Sequence, residues 1–489
     1  MPRYLIRKLT LLLLCFSGKS LAQSAKEAEA LLYAGDVDSA LGAARASIKA
    51  NPSDTESHLL LIDILMSQGL GATAQAVYKD FAKANPKSDR AWILLGRAAT
   101  SSATATEAYQ QALELNPHNA RAWCGMGDIY RAAGPGGVDN AIVAYEKAIE
   151  LDARLAEAYT GLGSLYLKAD RAQDAARVVQ QATLQVPEDP EAFLAAAALM
   201  PNQALTFLEK GSKSASADPR LHAALGHARL KRGEIHKAKK ALAKALKIHA
   251  HHPQAAFDME IVSEIEQGVL DLKAWDKLLK AKASLSKSPK AAVELHQSIH
   301  KKHPKSALAL LTLGHALVSE NRLGEAQAAL EKGLAIRPEN SDLNATLGLL
   351  FQAQQKHVEA LPLIELAALA RPLDPSLQVA YGISAANVRG PRMGAQILAT
   401  AAERFPSDPR PAMALATLLT KNGDAPSAYT VLNRAVAQYP APDLLLALAG
   451  AAKEIGKTKE AIDALERLSE LTGDPSWQRA AQSLKEGLK

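Results

Sequence analysis

Residues 304–338 read PKSALALLTLGHALVSENRLGEAQAALEKGLAIRP, one 34-residue period that runs from one proline to the next and carries Gly314 near its start. The period continues toward the carboxyl end, where each proline is followed ten residues later by glycine or alanine. The prolines are Pro304, Pro338, Pro372, Pro406 and Pro440, and the small residues are Gly314, Gly348, Gly382, Ala416 and Gly450. A strict period of this length indicates stacked repeat units rather than one shared core.

The same frame extends toward the amino end. Its anchor positions there are Pro52, Pro86, Pro117, Ala153, Pro187, Ser216 and Ala250. Four anchors are followed six residues later by a large aromatic side chain: Trp92, Trp123, Tyr159 and Phe193. We expect the proline to follow the second helix of each unit, because it cannot extend that helix. We expect the glycine or alanine to lie where the two helices of a unit cross closely. We expect the aromatic ring to fill the space between neighbouring helices.

Two units show the pattern most clearly: AWCGMGDIYRAAGPGGVDNAIVAYEKAIELD (Ala122 to Asp152) and AYTGLGSLYLKADRAQDAARVVQQATLQVP (Ala158 to Pro187). Both resemble the tetratricopeptide repeat, whose pattern is Trp-x2-Leu-Gly-x2-Tyr followed by Ala, an aromatic residue, Ala and Pro. The resemblance covers nearly the whole chain after residue 22, in roughly twelve units. It implies an all-α, helix-turn-helix solenoid wound as a right-handed superhelix, whose concave groove binds a protein or peptide.

Composition favours the same fold class. The chain is 48% hydrophobic but only 4% aromatic, because it is rich in alanine and leucine, which are strong helix formers. No run alternates apolar and polar β-branched residues, as a half-buried strand would. The sequence therefore predicts an all-α protein.

The amino terminus has the pattern of a secretory signal peptide. Arg3, Arg7 and Lys8 precede the short apolar run from Leu9 to Phe16, and Ser20-Leu21-Ala22 offers small residues at the two positions that signal peptidase reads. The run is far shorter than the ~20 residues of a spanning helix. We expect cleavage near Ala22 and a periplasmic or secreted protein. Lipid anchoring at Cys15 and an uncleaved anchor are the alternatives, although Leu14 does not fit a lipobox.

The repeat spacing predicts five segments. They are a signal peptide (1–22), an amino-terminal array (23–252), an irregular helical junction (253–303), a carboxy-terminal array (304–474) and a capping helix (475–489). Between Ala250 and Pro304 lie 54 residues instead of 34, so the junction holds either one unit plus an extra helix or two degenerate units. The solenoid could thus consist of two blocks.

No motif predicts catalysis, a cofactor or a metal. The glycines of Gly125-Met126-Gly127 and Gly161-Leu162-Gly163 fit the repeat rather than a nucleotide-binding loop. His249, His251 and His252 cluster without a carboxylate or cysteine at metal-ligand spacing. Cys124 is the single cysteine after the expected cleavage, and we expect it to be a packing residue. The protein is therefore not expected to be an enzyme.

Partner-binding candidates come from the first helix of each unit, which lines the groove in the family that the chain resembles. In the amino half these positions include Arg90, Arg97, Arg121 and Arg131, which suit carboxylates or acidic peptides. In the carboxy half they include Leu311, Leu349, Val379 and Ile383, which suit an amphipathic helix.

A basic region occupies the middle of the chain. Residues 229–305 contain 17 Lys and Arg against 8 Asp and Glu, although the net charge of the whole chain is only +6. Lys237, Lys240, Lys244 and Lys247 share one helix face, which could attract an anionic polymer, a phosphate surface or lipid headgroups. Peripheral membrane association would use the same face. No aromatic residues interleave with the lysines, so nucleic acid is not expected.

The function that we expect from the sequence is a non-catalytic scaffold or adaptor in the bacterial cell envelope. By family analogy, it would help to assemble a secretion, polysaccharide-export or outer-membrane complex. Two alternatives are a periplasmic chaperone or holdase, which would use the apolar groove, and a binder of anionic polymers, which would use the basic region. The sequence identifies neither the partner nor the oligomeric state.

Overall fold

The computed structural model describes residues 25–487, and the predicted signal peptide lies outside these residues. The described chain forms 28 α-helices and two short 3-10 turns, with no β-strand. Consecutive helices pack as antiparallel pairs, and each pair packs on the next. The prediction of an all-α repeat solenoid is therefore confirmed.

The helices of the amino-terminal part are α1 (Ala25–Tyr33), α2 (Val37–Ala50), α3 (Thr55–Ser67), α4 (Gly71–Ala84), α5 (Asp89–Ala98), α6 (Ser102–Leu115), α7 (Ala120–Ala132), α8 (Val138–Leu151), α9 (Ala156–Lys168), α10 (Ala172–Gln185), α11 (Pro190–Leu199), α12 (Ala204–Ser214), α13 (Pro219–Lys231) and α14 (Ile235–Ile248). The 3-10 turns are Pro135–Gly137 and Pro201–Gln203.

The helices that follow are α15 (Pro253–Glu266), α16 (Leu272–Ser284), α17 (Pro289–Lys302), α18 (Ala307–Ser319), α19 (Leu323–Ile336), α20 (Ser341–Ala353), α21 (His357–Ala370), α22 (Pro375–Arg389), α23 (Pro391–Arg404), α24 (Pro409–Lys421), α25 (Ala425–Gln438), α26 (Pro442–Glu454), α27 (Thr458–Thr472) and α28 (Pro475–Glu486).

Gly314, Gly348 and Gly382 each lie at a close crossing of two helices. A Cβ atom added to Gly314 would lie 2.6 Å from the Leu330 side chain, and one added to Gly348 would lie 2.7 Å from Ile364. Both contacts join the two helices of a single unit. The last repeat differs, because a Cβ at Gly450 would meet nothing within 4 Å. The spacing argument therefore holds for the inner repeats and not for the final one.

In the amino half, tyrosine rings fill the space beside the glycines of the first helices. The Tyr109 ring lies where a Cβ on either Gly96 or Gly125 would stand, within 2.6 and 2.3 Å of the ring atoms. Tyr145 has the same relation to Gly127 and Gly161. Each ring thus packs between the first helix of its own unit and that of the next, which explains why these units carry aromatic residues and paired glycines.

Residues 253–303 form the three helices α15, α16 and α17. The buried Glu264 at the end of α15 joins this segment to the carboxy-terminal array. Its carboxylate accepts hydrogen bonds from the Leu308 N–H (3.1 Å) and from the Ser306 hydroxyl, both at the start of α18. A carboxylate at a helix amino terminus is favourably placed with respect to the helix dipole. The exact segment boundaries given above stay predictions.

The amino-terminal units also contact the carboxy-terminal array. The Asp38 carboxylate accepts a hydrogen bond from the Ser407 N–H (3.0 Å), and Arg404 pairs with Asp36 (3.1 Å). Farther along, the Thr73 hydroxyl donates to the Pro440 carbonyl (2.6 Å). Apolar side chains of both regions form one continuous buried cluster. The solenoid therefore closes on itself.

Substitution by alanine should have opposite effects on stability at a glycine in a close crossing and at a glycine in open space. Gly348→Ala should lower the free energy of unfolding by about 1–3 kcal/mol, because the new methyl group overpacks the crossing against Ile364. Gly450→Ala should raise it by about 1 kcal/mol, because alanine favours the helix and the site is open. Urea denaturation of both variants measures the difference. Equal shifts of the same sign would contradict the close-crossing explanation.

Glu264 can be compared with a neighbouring glutamate. Glu264→Ala should cost about 3 kcal/mol, because it leaves buried donors at the start of α18 without their acceptor. Glu266→Ala removes an exposed pair with Lys239 (2.6 Å) and should cost less than about 1 kcal/mol. Denaturant midpoints, with hydrogen exchange at α18, provide the test. Similar losses in the two variants would remove the role assigned to Glu264.

Candidate functional site

Three of the four arginines predicted for the amino-terminal groove form ion pairs within the protein. Arg97 on α5 pairs with Asp63 on α3 (2.9 Å) and with Glu157 on α9 (3.5 Å). Burial by itself lowers the pKa of Arg97, but the two carboxylates outweigh it and hold the pKa above its usual range. The guanidinium therefore bridges three repeat units.

Two more of the arginines have internal partners. Arg121 on α7 pairs with Glu56 on α3 (2.5 Å), across an intervening unit. Arg131 pairs with Asp128 (2.8 Å) and also donates to the Tyr145 hydroxyl (3.0 Å). Arg90 has no ion pair among the described residues, and its guanidinium lies 6.0 Å from the Phe81 ring. An acidic partner would have to compete with carboxylates already in place, and binding at these arginines stays a prediction.

The carboxy-terminal array exposes apolar side chains on its first helices. Leu349 on α20 is 40% exposed and Ile383 on α22 is 36% exposed. They stand 34 residues apart, so they occupy the same position in successive units. Val379 lies one helical turn before Ile383, and Met413 holds the equivalent position on α24; both are half-buried. We call these four residues the apolar strip.

Leu311 does not belong to the apolar strip. It is only 7% exposed and shares a buried cluster with Ile261 and Val262 of α15. The equivalent residue of the next unit, Ala345, is buried as well and is 4% exposed. Burial in this cluster makes Leu311 a core residue in the structure, so its side chain is not free to bind a partner.

The four lysines of the basic face differ in their surroundings. Lys237 pairs with Glu234, the residue that precedes α14 (3.1 Å). Lys240, Lys244 and Lys247 are exposed and have no ion pair within residues 25–487. Lys240 and Lys244 line a cleft of about 370 Å³ that also contains Lys213 of α12 and Arg229 of α13. Helical spacing along α14 alone did not reveal Lys213 or Arg229, because they belong to other helices.

The remaining candidates behave as structural residues. Cys124 is buried, and burial raises the pKa of its thiol well above the usual value, which keeps it protonated and unreactive. His252 accepts a hydrogen bond from the Ala255 N–H (3.3 Å) at the start of α15. Over the described part of the chain, no group of three or more potential metal ligands converges. None of the described helices is both long and apolar enough to cross a membrane.

Comparison with solved structures gives distant likenesses. The Cut9 complex with Hcn1 of APC/C is 16% identical, with 94% of this chain and 89% of that chain covered and a TM-score of 0.33. Naa15/Naa10 bound to HypK-THB is 15% identical, with coverage of 95% and 77% and a TM-score of 0.35. TTC0263, a tetratricopeptide protein of Thermus thermophilus, is 23% identical, with coverage of 36% and 96% and a TM-score of 0.31. No conclusion on partners follows from likenesses this distant.

No curated protein matches the sequence. Family models do match it, in five segments. A model described as TPR repeat matches residues 136–170, and models described as tetratricopeptide repeat match residues 31–98, 219–252, 311–377 and 413–475. These segments together cover more than half of the chain, and the protein therefore belongs to the tetratricopeptide repeat superfamily.

Proposed function

We propose that this protein is an exported, non-catalytic scaffold of the bacterial cell envelope that holds a protein partner on the apolar strip of its carboxy-terminal array. Tetratricopeptide arrays are protein-interaction scaffolds, and this chain is such an array. The complex that it would help to assemble is a secretion, polysaccharide-export or outer-membrane complex, by analogy with exported members of the superfamily.

The exposure of Leu349 and Ile383 is the observation that carries the proposal. These two side chains remain more than a third exposed at equivalent positions of adjacent helices, beside half-buried Val379 and Met413. An amphipathic helix that places one apolar face along the strip would cover all four residues. Burying two large aliphatic side chains would contribute a few kcal/mol to binding, at about 25 cal/mol per Å² of apolar surface.

The amino-terminal groove is less suited to this role. Its Arg97 and Arg121 already bond to carboxylates of other units, so an acidic peptide would replace one ion pair by another with little net gain. An apolar partner gains instead from surface that only water covers in the free protein. We therefore place the partner on the carboxy-terminal array.

Closure of the solenoid supports a defined partner rather than many clients. The contacts of Asp36 and Asp38 with the region of Arg404 and Ser407 hold the first unit against the carboxy-terminal array, so the binding surface is formed before the partner arrives. A preformed surface loses less conformational freedom on binding. A holdase would need a broader apolar area than this short strip.

Export is proposed from the amino-terminal sequence. The basic and apolar residues of positions 3–16 and the small residues Ser20 and Ala22 fit a cleaved signal. The rest of the chain agrees with an oxidising compartment, because Cys124 would be its single cysteine and its thiol is buried. A buried lone thiol is protected from unwanted disulfide formation.

Replacing Leu349 and Ile383 by aspartate should reduce partner binding by at least about thirtyfold, since buried apolar contacts at an interface centre contribute about 2 kcal/mol or more. A photo-crosslinking residue at position 349 should capture one partner in intact cells, and the double variant should lose that partner in pull-down. The matched control is Leu366→Asp on α21, where the side chain is 55% exposed outside the strip.

Circular dichroism would check that the variants keep their helices. Retention of the captured partner by the double variant, or equal loss in Leu366→Asp, would remove the strip from the proposal. Capture of many unrelated proteins without fixed stoichiometry would instead indicate the holdase.

Signal processing gives a separate test. The mature protein should begin at Gln23, and Leu12→Arg should leave an unprocessed cytoplasmic precursor because it interrupts the apolar run. Leu21→Ser keeps Ser20 and Ala22 and should be processed normally. Cell fractionation measures where each variant is located, and mass spectrometry of the intact protein identifies its first residue. A cytoplasmic wild-type protein that still begins at residue 1 would contradict export and leave the binding proposal standing.

A further inference from the structure

A cleft between second helices of adjacent units has an unusual set of charges. It measures about 370 Å³ and lies between α12 and α14, with α13 beneath. Lys213 stands on one wall, Lys240 and Lys244 stand on the other, and Arg229 reaches in from α13. Glu209 is the one acidic residue of the lining.

The three lysines of this cleft are not neutralised by the protein. Lys213, Lys240 and Lys244 have neither an ion pair nor a side-chain hydrogen bond within the described residues. Arg229 uses its terminal nitrogens on Glu209 (3.0 Å) and on the Lys237 carbonyl (3.3 Å). Its Nε is buried and has no hydrogen-bond acceptor in the described part of the chain. The charge that remains available to a ligand in the cleft therefore lies on the three lysines.

The protein contains a second cleft of the same construction that serves as an internal comparison. It lies between α23 and α25 and measures about 420 Å³. Residues of the second cleft lie 190 positions after their counterparts in the first. This offset aligns Asp218-Pro219-Arg220 with Asp408-Pro409-Arg410. In each triplet the aspartate caps the first helix and accepts from the arginine side chain.

The walls of the two clefts differ in charge. At the position of Lys213 the second cleft has Glu403, and at the position of Lys244 it has Arg434. These two residues form an ion pair across the cleft, with 3.7 Å between Arg434 Nη1 and Glu403 Oε1. The cleft at Lys213 instead places two ammonium groups on opposing walls, where like charges repel. An anion between them would supply the charge that Glu403 supplies in the other unit.

We propose that this cleft binds a phosphate-type oxyanion, either a phosphomonoester or a pyrophosphate. Three flexible ammonium groups on opposing walls of the cleft offer separate donors, which suits a tetrahedral, multiply charged anion. A carboxylate would neutralise only one lysine and would prefer the paired terminal nitrogens of Arg229, which are already occupied. This site is separate from the apolar strip and does not depend on the proposed function.

Isothermal titration of the full chain with pyrophosphate, at constant ionic strength, tests the proposal directly. The wild-type protein should bind one pyrophosphate. Lys213→Glu recreates the ion pair of the other cleft, because it places a carboxylate opposite Lys244, and should weaken binding at least about tenfold without lowering the melting temperature. Lys244→Glu creates the same pair in the opposite orientation and provides a second variant if the first folds poorly.

Lys247→Glu is the matched control, because it makes the same change of charge on the same helix outside the cleft lining. It should keep affinity within about twofold, because Lys247 is exposed to solvent and does not line the cleft. A loss equal to that of Lys213→Glu would show diffuse attraction and overturn the cleft as a site.

Vesicles that contain phosphatidic acid, compared with vesicles of phosphatidylcholine alone, distinguish the source of the phosphate group. Lysine-dependent binding to pyrophosphate in solution supports a soluble phosphate compound, and lysine-dependent binding only to phosphatidic acid supports a lipid headgroup. Absence of binding to both probes would overturn the proposal.

Discussion

The structure depends on the close crossing of the two helices in each unit. At Gly314, Gly348 and Gly382 the opposing branched side chain comes so near that a Cβ would lie within 2.7 Å of it. This crossing sets the distance between the helices of a pair, and repetition of the same pair then sets the 34-residue period. Because each unit packs mainly on its neighbours, the chain needs no single central core.

The local features were predictable because they arise from contacts between residues close in the sequence. The prolines mark the ends of second helices, and the glycines mark crossings between residues 16 apart, such as Gly314 and Leu330. Other features depend on the path of the whole superhelix, to which each unit adds a small rotation. The pair of Arg121 with Glu56 joins residues 65 apart, and that of Arg404 with Asp36 joins residues 368 apart. No spacing rule within a unit specifies such partners.

The candidate surfaces also divide into those that arise within regular units and those that depend on packing between units. Leu349 and Ile383 could be placed from the frame, because their units are regular. Leu311 could not, because its side chain is buried in a cluster that joins residues of several units. The basic cleft was only half visible in the sequence: Lys240 and Lys244 share a helix face, whereas Lys213 and Arg229 join them through packing between units. Surfaces formed by several units can be predicted only if the relative placement of those units is known, and sequence spacing along one helix does not provide it.

The contacts between the first and last units have a mechanical consequence. An open superhelix of repeats behaves as a soft spring, because small changes at each unit add up to a large change in length. Here the bonds from Asp36, Asp38 and Thr73 to the far end of the chain fasten the coil, so lengthening it requires breaking polar contacts and exposing part of a common apolar cluster. The fastened coil resists stretching, and its pitch is thereby held nearly constant under load.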